Sequence, residues 1–136
     1  MQTIRPEQQG SQSWLCVGDV RYPAQLVSND IAIGDGTTHR ERRAMVQFES
    51  GWLVSVVWGS ATYSDNHHDW QHGVFTEEPC HVEVAVPWDG PWEPLGYVTA
   101  DALQAILIQM ARWPSGEPPP RWAQEGQLEA GSDPRT

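Results

Sequence analysis

The sequence contains no lysine. All eight basic residues are arginines: Arg5, Arg21, Arg40, Arg42, Arg43, Arg112, Arg121 and Arg135. Lysine codons are A-rich, whereas arginine and tryptophan codons are G-rich, so the bias fits a GC-rich genome. Its physical consequence holds whatever the origin. Any anionic ligand must be held by guanidinium groups, which favour planar, bidentate contacts to phosphate or carboxylate. Positive charge is scarce altogether: the net charge is −10 and the pI about 4.7. That excludes a general DNA- or RNA-coating protein, which needs a basic face to replace counterions. No apolar run approaches the roughly 18 residues of a membrane-spanning helix, so no membrane association is expected.

Cysteine is also sparse, with only Cys16 and Cys80. The opening Met1-Gln2-Thr3-Ile4-Arg5-Pro6 lacks the apolar stretch of a signal peptide. A cytoplasmic chain with both thiols reduced is therefore expected. Cys16 reads as a small buried apolar residue rather than a nucleophile. Catalytic signatures are missing too. Ser55, Ser60 and Ser64 have no G-x-S-x-G elbow around them. Glu77-Glu78 lies in a loop with no evident desolvation. Gly34-Asp35-Gly36 lacks the GK[ST] ending and following helix of a phosphate-binding loop. A non-enzymatic chain without a cofactor is the expectation.

What is present is a chain of 136 residues, 39% apolar, with eight tryptophans. That is one domain with a modest core. Residues 1–12 are polar and Gln-rich and read as disordered. Short strands are expected at 14–17, 20–22, 25–27 and 31–33, with a Gly18-Asp19 turn and with Pro23 marking an edge or a strand end. The clearest unit is a central hairpin at about 44–58, Ala44 to Glu49 and Trp52 to Trp58 around a Ser50-Gly51 loop. That loop pairs Glu49 with Trp52, Phe48 with Leu53 and Val46 with Ser55. Residues 59–79 form a long, His-rich loop. His81 to Val86 alternates, with Val82, Val84 and Val86 inward. Residues 87–94 read as a rigid Pro- and Trp-containing loop. Thr99 is a good N-cap, and Leu103, Ile106, Leu107 and Met110 give one apolar helical stripe. Residues 114–136, rich in Pro, Gly, Glu and Gln, read as a disordered tail. The expected fold is α+β: one domain at 13–113, an antiparallel sheet and one C-terminal amphipathic helix. One helix cannot cover both faces of the sheet, so a homo-oligomer is expected.

Three groups of residues carry candidate chemistry. The loop around His67, His68 and His72, with His81 downstream, has His68 and His72 at i, i+4 spacing, and it offers a zinc reading beside one of solvated histidines. Thr37 to Arg43 concentrates Arg40, Arg42 and Arg43, either as a solvated turn or as an anion clamp. Trp58, Tyr63 and Trp70 flank the His-rich loop, either as packing residues or as stacking faces for a nucleotide base.

The segments Gln47-Phe48-Glu49-Ser50-Gly51-Trp52-Leu53-Val54-Ser55-Val56-Val57-Trp58-Gly59, Val82-Glu83-Val84-Ala85-Val86 and Leu95-Gly96-Tyr97-Val98-Thr99 resemble a recurring pattern of small phage proteins. Over roughly 45–63 and 82–113 the chain is most similar to the anti-Thoeris sponge family. The resemblance implies an antiparallel sheet followed by helices. It implies oligomers that sequester cyclic ADP-ribose-type immune signals, or in some members cyclic oligonucleotides, without cleaving them. A phage-encoded chain would act in the host cytoplasm. The long N-terminal extension, the His-rich loop and the single helix depart from that pattern, and no ligand-contacting residue carries over by position. The leading expectation is thus a binding protein for a small anionic nucleotide, with Arg40, Arg42 and Arg43 on phosphate and Trp58, Tyr63 or Trp70 on the base. The alternatives are a protein–protein interaction module that inhibits a host factor, and a zinc site at His67, His68, His72 and His81.

Overall fold

The computed structural model describes residues 3–34, 37–60, 62, 64 and 75–127. Seven strands form one antiparallel sheet whose spatial order follows the chain. They are β1 (Ile4–Gln9), β2 (Gln12–Val17), β3 (Val20–Gly34), β4 (Thr37–Gln47), β5 (Leu53–Gly59), β6 (His81–Ala85) and β7 (Leu95–Thr99). Helix α1 (Ala100–Arg112) follows β7 directly, and a short helix α2 (Arg121–Glu125) comes last. The α+β architecture, with its central hairpin and C-terminal amphipathic helix, is as expected. No described helix is long and apolar enough to cross a membrane.

One face of the sheet carries the core. Ile4, Leu15, Val17, Ala44, Val46, Val54, Val56, Val82, Val84 and Val98 are all buried there, together with Leu103, Ile106, Leu107 and Met110 of α1. Helix α1 touches both β2 and β7, so the sheet wraps around it. Thr99 Oγ1 accepts the Ala102 N–H at 3.2 Å and caps the helix. Satisfying one of the orphan first-turn donors in this way is worth about 1 kcal/mol.

The hairpin register differs from expectation by one residue. Val46 pairs with Val54, Met45 with Ser55 and Ala44 with Val56. The loop is Glu49-Ser50-Gly51, closed by Phe48 N–H to Trp52 O and Gly51 N–H to Phe48 O, both 2.9 Å. Gly51 has φ +99°, which suits the last position of such a three-residue loop. A one-residue slip moves every side chain of a strand to the opposite face. In the observed register Val54, Val56 and Trp58 join Ala44 and Val46 on the core face, whereas the expected pairing set Leu53, Ser55 and Val57 there.

Three other expectations are corrected. The four short segments at 14–17, 20–22, 25–27 and 31–33 form only two strands, because β3 runs unbroken through Pro23. Pro23 sits where pairing with β2 ends and pairing with β4 begins, a place where a missing N–H is tolerated. Residues 4–9, expected within a disordered segment, pair with β2, and Ile4 is fully buried. Residues 114–127, expected within a disordered tail, pack against the domain, with Trp122 and Ala123 buried. Proline-rich chain has an excess of carbonyl acceptors because proline has no N–H. Indole N–H groups supply the donors: Trp52 to Pro114 O at 3.0 Å, Trp88 to Pro91 O at 2.7 Å and Trp113 to Pro118 O at 2.8 Å.

Candidate functional site: a cavity between Arg42 and Trp58

In an antiparallel ladder, alternate residues share a face. Ala44 and Val46 face the core, so Arg42 and Arg40 continue their row toward the open end of the sheet. The register pairs Arg42 with Trp58 on one side and with Ser28 on the other. The slip described above is therefore what brings Arg42 and Trp58, both sequence candidates, to one place. They border a cavity of about 310 Å³, whose remaining wall comes from Pro6, Glu7 and Gln8 of β1, Leu26, Val27 and Ser28 of β3, Arg43, and Glu77.

Arg42 is held from three sides. Its Nη1 donates to Asp30 Oδ1 at 2.6 Å and to the Glu41 carbonyl at 3.1 Å, and its Nη2 lies 3.4 Å from Asp30 Oδ2. Its Nε donates to Glu77 Oε1 at 2.8 Å. The guanidinium carbon lies 4.8 Å from the centre of the Phe75 ring. Only 15% of the side chain is exposed. Burial works against the Arg42 charge, but the hydrogen bonds it donates to Asp30 and Glu77 outweigh it, and the pKa is raised. The same contact holds the Asp30 carboxyl below the usual carboxylate range, against a smaller opposing effect of desolvation.

Trp58 is completely buried, yet its indole Nε1–H has no hydrogen-bond partner among the described residues. Such a donor carries a desolvation cost of about 1–3 kcal/mol. Immediately after it, Gly59 has φ +120°, and the backbone presses against β4. Ser60 N–H donates to Arg40 O at 2.7 Å, and Arg40 N–H donates to Ser60 Oγ at 3.1 Å. Buried Thr62 and Ser64 continue the clamp: Thr62 Oγ1 donates to Gly59 O at 2.7 Å, and Gly59 N–H donates to Ser64 Oγ at 3.3 Å. This hydroxyl lock behind Trp58 escaped sequence reasoning. Its only trace there is the alternation of Ser60, Thr62 and Ser64 after a glycine.

The remaining candidates are scattered. Arg40 is exposed, with its guanidinium carbon 5.8 Å from the Phe75 ring centre. Arg43 contributes to the cavity wall, but its Nη2 turns to Glu41 Oε1 at 3.4 Å. The three arginines therefore do not all meet at the cavity: Arg42 and Arg43 border it, whereas Arg40 shares Phe75 with Arg42 but is not in its wall. Tyr63, Trp70, His67, His68 and His72 lie outside the described residues. His81 is half-buried on β6, paired with Thr99, on the face opposite Val82 and Val84. Among the described residues, no three His, Cys, Asp or Glu side chains gather as metal ligands. Asp30 is a site residue that the sequence did not single out, and Glu77 appeared there only as half of an acidic pair set aside for catalysis.

Cys16 is not part of the cavity wall, although its partner Glu7 is. It is buried on the other face of β2, and its Sγ is 3.2 Å from Glu7 Oε2. Burial, reinforced by Glu7, raises its pKa, which suits a structural thiol.

The chain matches no protein-family model, no curated protein and no solved structure.

Proposed function

We propose that this chain is a non-enzymatic binding protein that captures a small anionic nucleotide in the Arg42–Trp58 cavity. The observation that carries the reading is that Arg42 and a fully buried Trp58, whose indole N–H has no partner among the described residues, border the same cavity. A buried donor without a partner is rare and calls for an explanation. A ligand acceptor supplies one. A nucleotide brings both an anion for Arg42 and ring acceptors for the indole. Both protein groups are donors only and take no proton at neutral pH, so they hold a ligand rather than transform it. The cavity is at the small end of ligand pockets, which begin at about 300 Å³, and it suits one nucleotide unit better than two. With the sponge-family resemblance, the ligand is a signalling nucleotide of the cyclic ADP-ribose kind, bound in the cytoplasm by a homo-oligomer.

A melting-temperature panel of cyclic ADP-ribose, adenosine monophosphate and cyclic dinucleotides tests this reading. A ligand at 100 times its Kd stabilises the folded state by about 2.7 kcal/mol. Stabilisation by at least one nucleotide, lost in Arg42→Ala, is expected. A flat panel, or a shift that survives Arg42→Ala, overturns it.

A second reading draws on the sheet face away from α1, which adjoins the cavity at Val27. Val27 and Ile31 of β3 are 41% and 50% exposed there, and they fit a protein partner. Elution of the purified chain as a monomer that pulls down no second copy would leave that face to a foreign partner.

A further inference from the structure

Resting on the nucleotide reading above, we infer that Glu77 is an exchangeable counter-anion, occupying the edge of Arg42 that the ligand's phosphate takes. The two carboxylates on Arg42 differ in how they are tethered. Asp30 sits on β3, which pairs with β4 from Ala24 to Gly34, so it is fixed relative to Arg42 by the sheet itself. Glu77, as exposed as Asp30 at about half, belongs instead to a segment without regular structure and forms part of the cavity wall. Asp30 forms no part of that wall.

They also differ in which protons they take. Asp30 has its short bond to Nη1, at 2.6 Å, and only a long one to Nη2, at 3.4 Å. Glu77 has Nε, at 2.8 Å. When Glu77 leaves, Nε and the loosely engaged Nη2 become a side-on fork facing the cavity, the geometry in which arginine grips phosphate bidentately. Asp30 stays and keeps the guanidinium oriented. Phe75 remains packed against the core and under Arg42, so the exchange needs only the Glu77 side chain to swing out. The consequence is selectivity. An uncharged ligand gains nothing by displacing Glu77, whereas a phosphate replaces one anion with another.

The test uses inorganic pyrophosphate as the anion and the Arg42 Nε–H resonance as the reporter, in wild type, Glu77→Gln and Glu78→Gln. Glu78 is exposed and one residue away, and it makes no bond to Arg42, so E78Q controls for the loss of one negative charge. Exposed ion pairs are worth up to about 1 kcal/mol, so removal of the competitor should tighten binding about two- to five-fold. The inference stands if pyrophosphate moves the Arg42 signal and E77Q alone tightens it by that factor. It is overturned if the signal does not move in wild type or E77Q, or if E77Q and E78Q behave alike. Nucleotide stabilisation without any Glu77 effect would leave the binding reading intact and remove this one. Pyrophosphate exchange without nucleotide stabilisation would do the reverse.

Discussion

Gly59→Ala is the substitution whose cost the structure sets most directly, and Gly51→Ala is its built-in control. Both glycines have positive φ, +120° and +99°. At Gly51 an added Cβ meets nothing within 4 Å, so that variant suffers only backbone strain, about 1–2 kcal/mol. At Gly59 the same Cβ would run into the Arg40 carbonyl oxygen and lie 2.8 Å from Glu41 Cα. Both are backbone atoms of a paired strand and cannot rotate away. Overpacking of this kind costs about 1–3 kcal/mol. Prising β5 from β4 would also strain the two Arg40–Ser60 bonds, each worth about 1 kcal/mol. The total for Gly59→Ala is then about 3–5 kcal/mol, a large part of the 5–15 kcal/mol that holds a typical domain. At roughly 3–5 °C per kcal/mol for a chain of this size, the melting temperature should fall by roughly 10–20 °C, against about 5 °C for Gly51→Ala. Differential scanning calorimetry of the three proteins measures it. Equal losses in the two variants would refute the claim that the β4–β5 approach depends on a missing side chain.

Other expectations follow from single contacts. Trp58→Phe removes an unpartnered donor while keeping most of the buried ring, so chemical denaturation should show stability unchanged or raised, while nucleotide affinity falls; a joint loss of both would point to packing alone. Asp30 has its carboxyl pKa lowered by Arg42, so its contribution is fully present above the ordinary carboxylate pKa and fades as pH drops through the lowered value. Asp30→Asn should accordingly flatten the acid limb of the stability–pH curve, and an unchanged limb would contradict the pairing. For the thiols, buried Cys16 with its raised pKa should resist a thiol reagent that labels exposed Cys80 quickly. Two fast equivalents per chain under native conditions would show that β1 and β2 open readily.

Much of the fold was legible because its signals are local. The alternation Val82, Val84, Val86 and the stripe Leu103, Ile106, Leu107, Met110 each report one face of one element, and the Thr99 cap marks the helix start. The hairpin was legible in existence but not in register. Ser50-Gly51 fits a two-residue loop as well as Glu49-Ser50-Gly51 fits a three-residue one, and only the grouping of Val54, Val56 and Trp58 with Ala44 and Val46 decides between them. Composition misled at both ends. Glutamines in β1 are compatible with a strand when Ile4 anchors it, and a proline-rich segment stays ordered where tryptophans reach its carbonyls. Within the site, Arg42 and Trp58 stood out by residue type. Asp30 and Glu77 did not, since they lie 12 and 35 residues from Arg42 and are two among eighteen acidic residues. Which carboxylate meets a guanidinium is a property of the sheet, not of local pattern.

Because spatial strand order repeats chain order, each described strand pairs with the one made just before it. Sheet growth during synthesis is then a sequence of additions at one edge, each closing a connection to its immediate neighbour. The element that ties the early strands to the late ones is α1, which reaches β2 and β7 together and emerges after all seven strands. Until it does, the apolar face built from Ile4 onward has no cover. A chain truncated before α1 should therefore pair its strands and still associate through that bare face, so the segment from Ala100 onward decides solubility during biogenesis although it supplies none of the strands it protects.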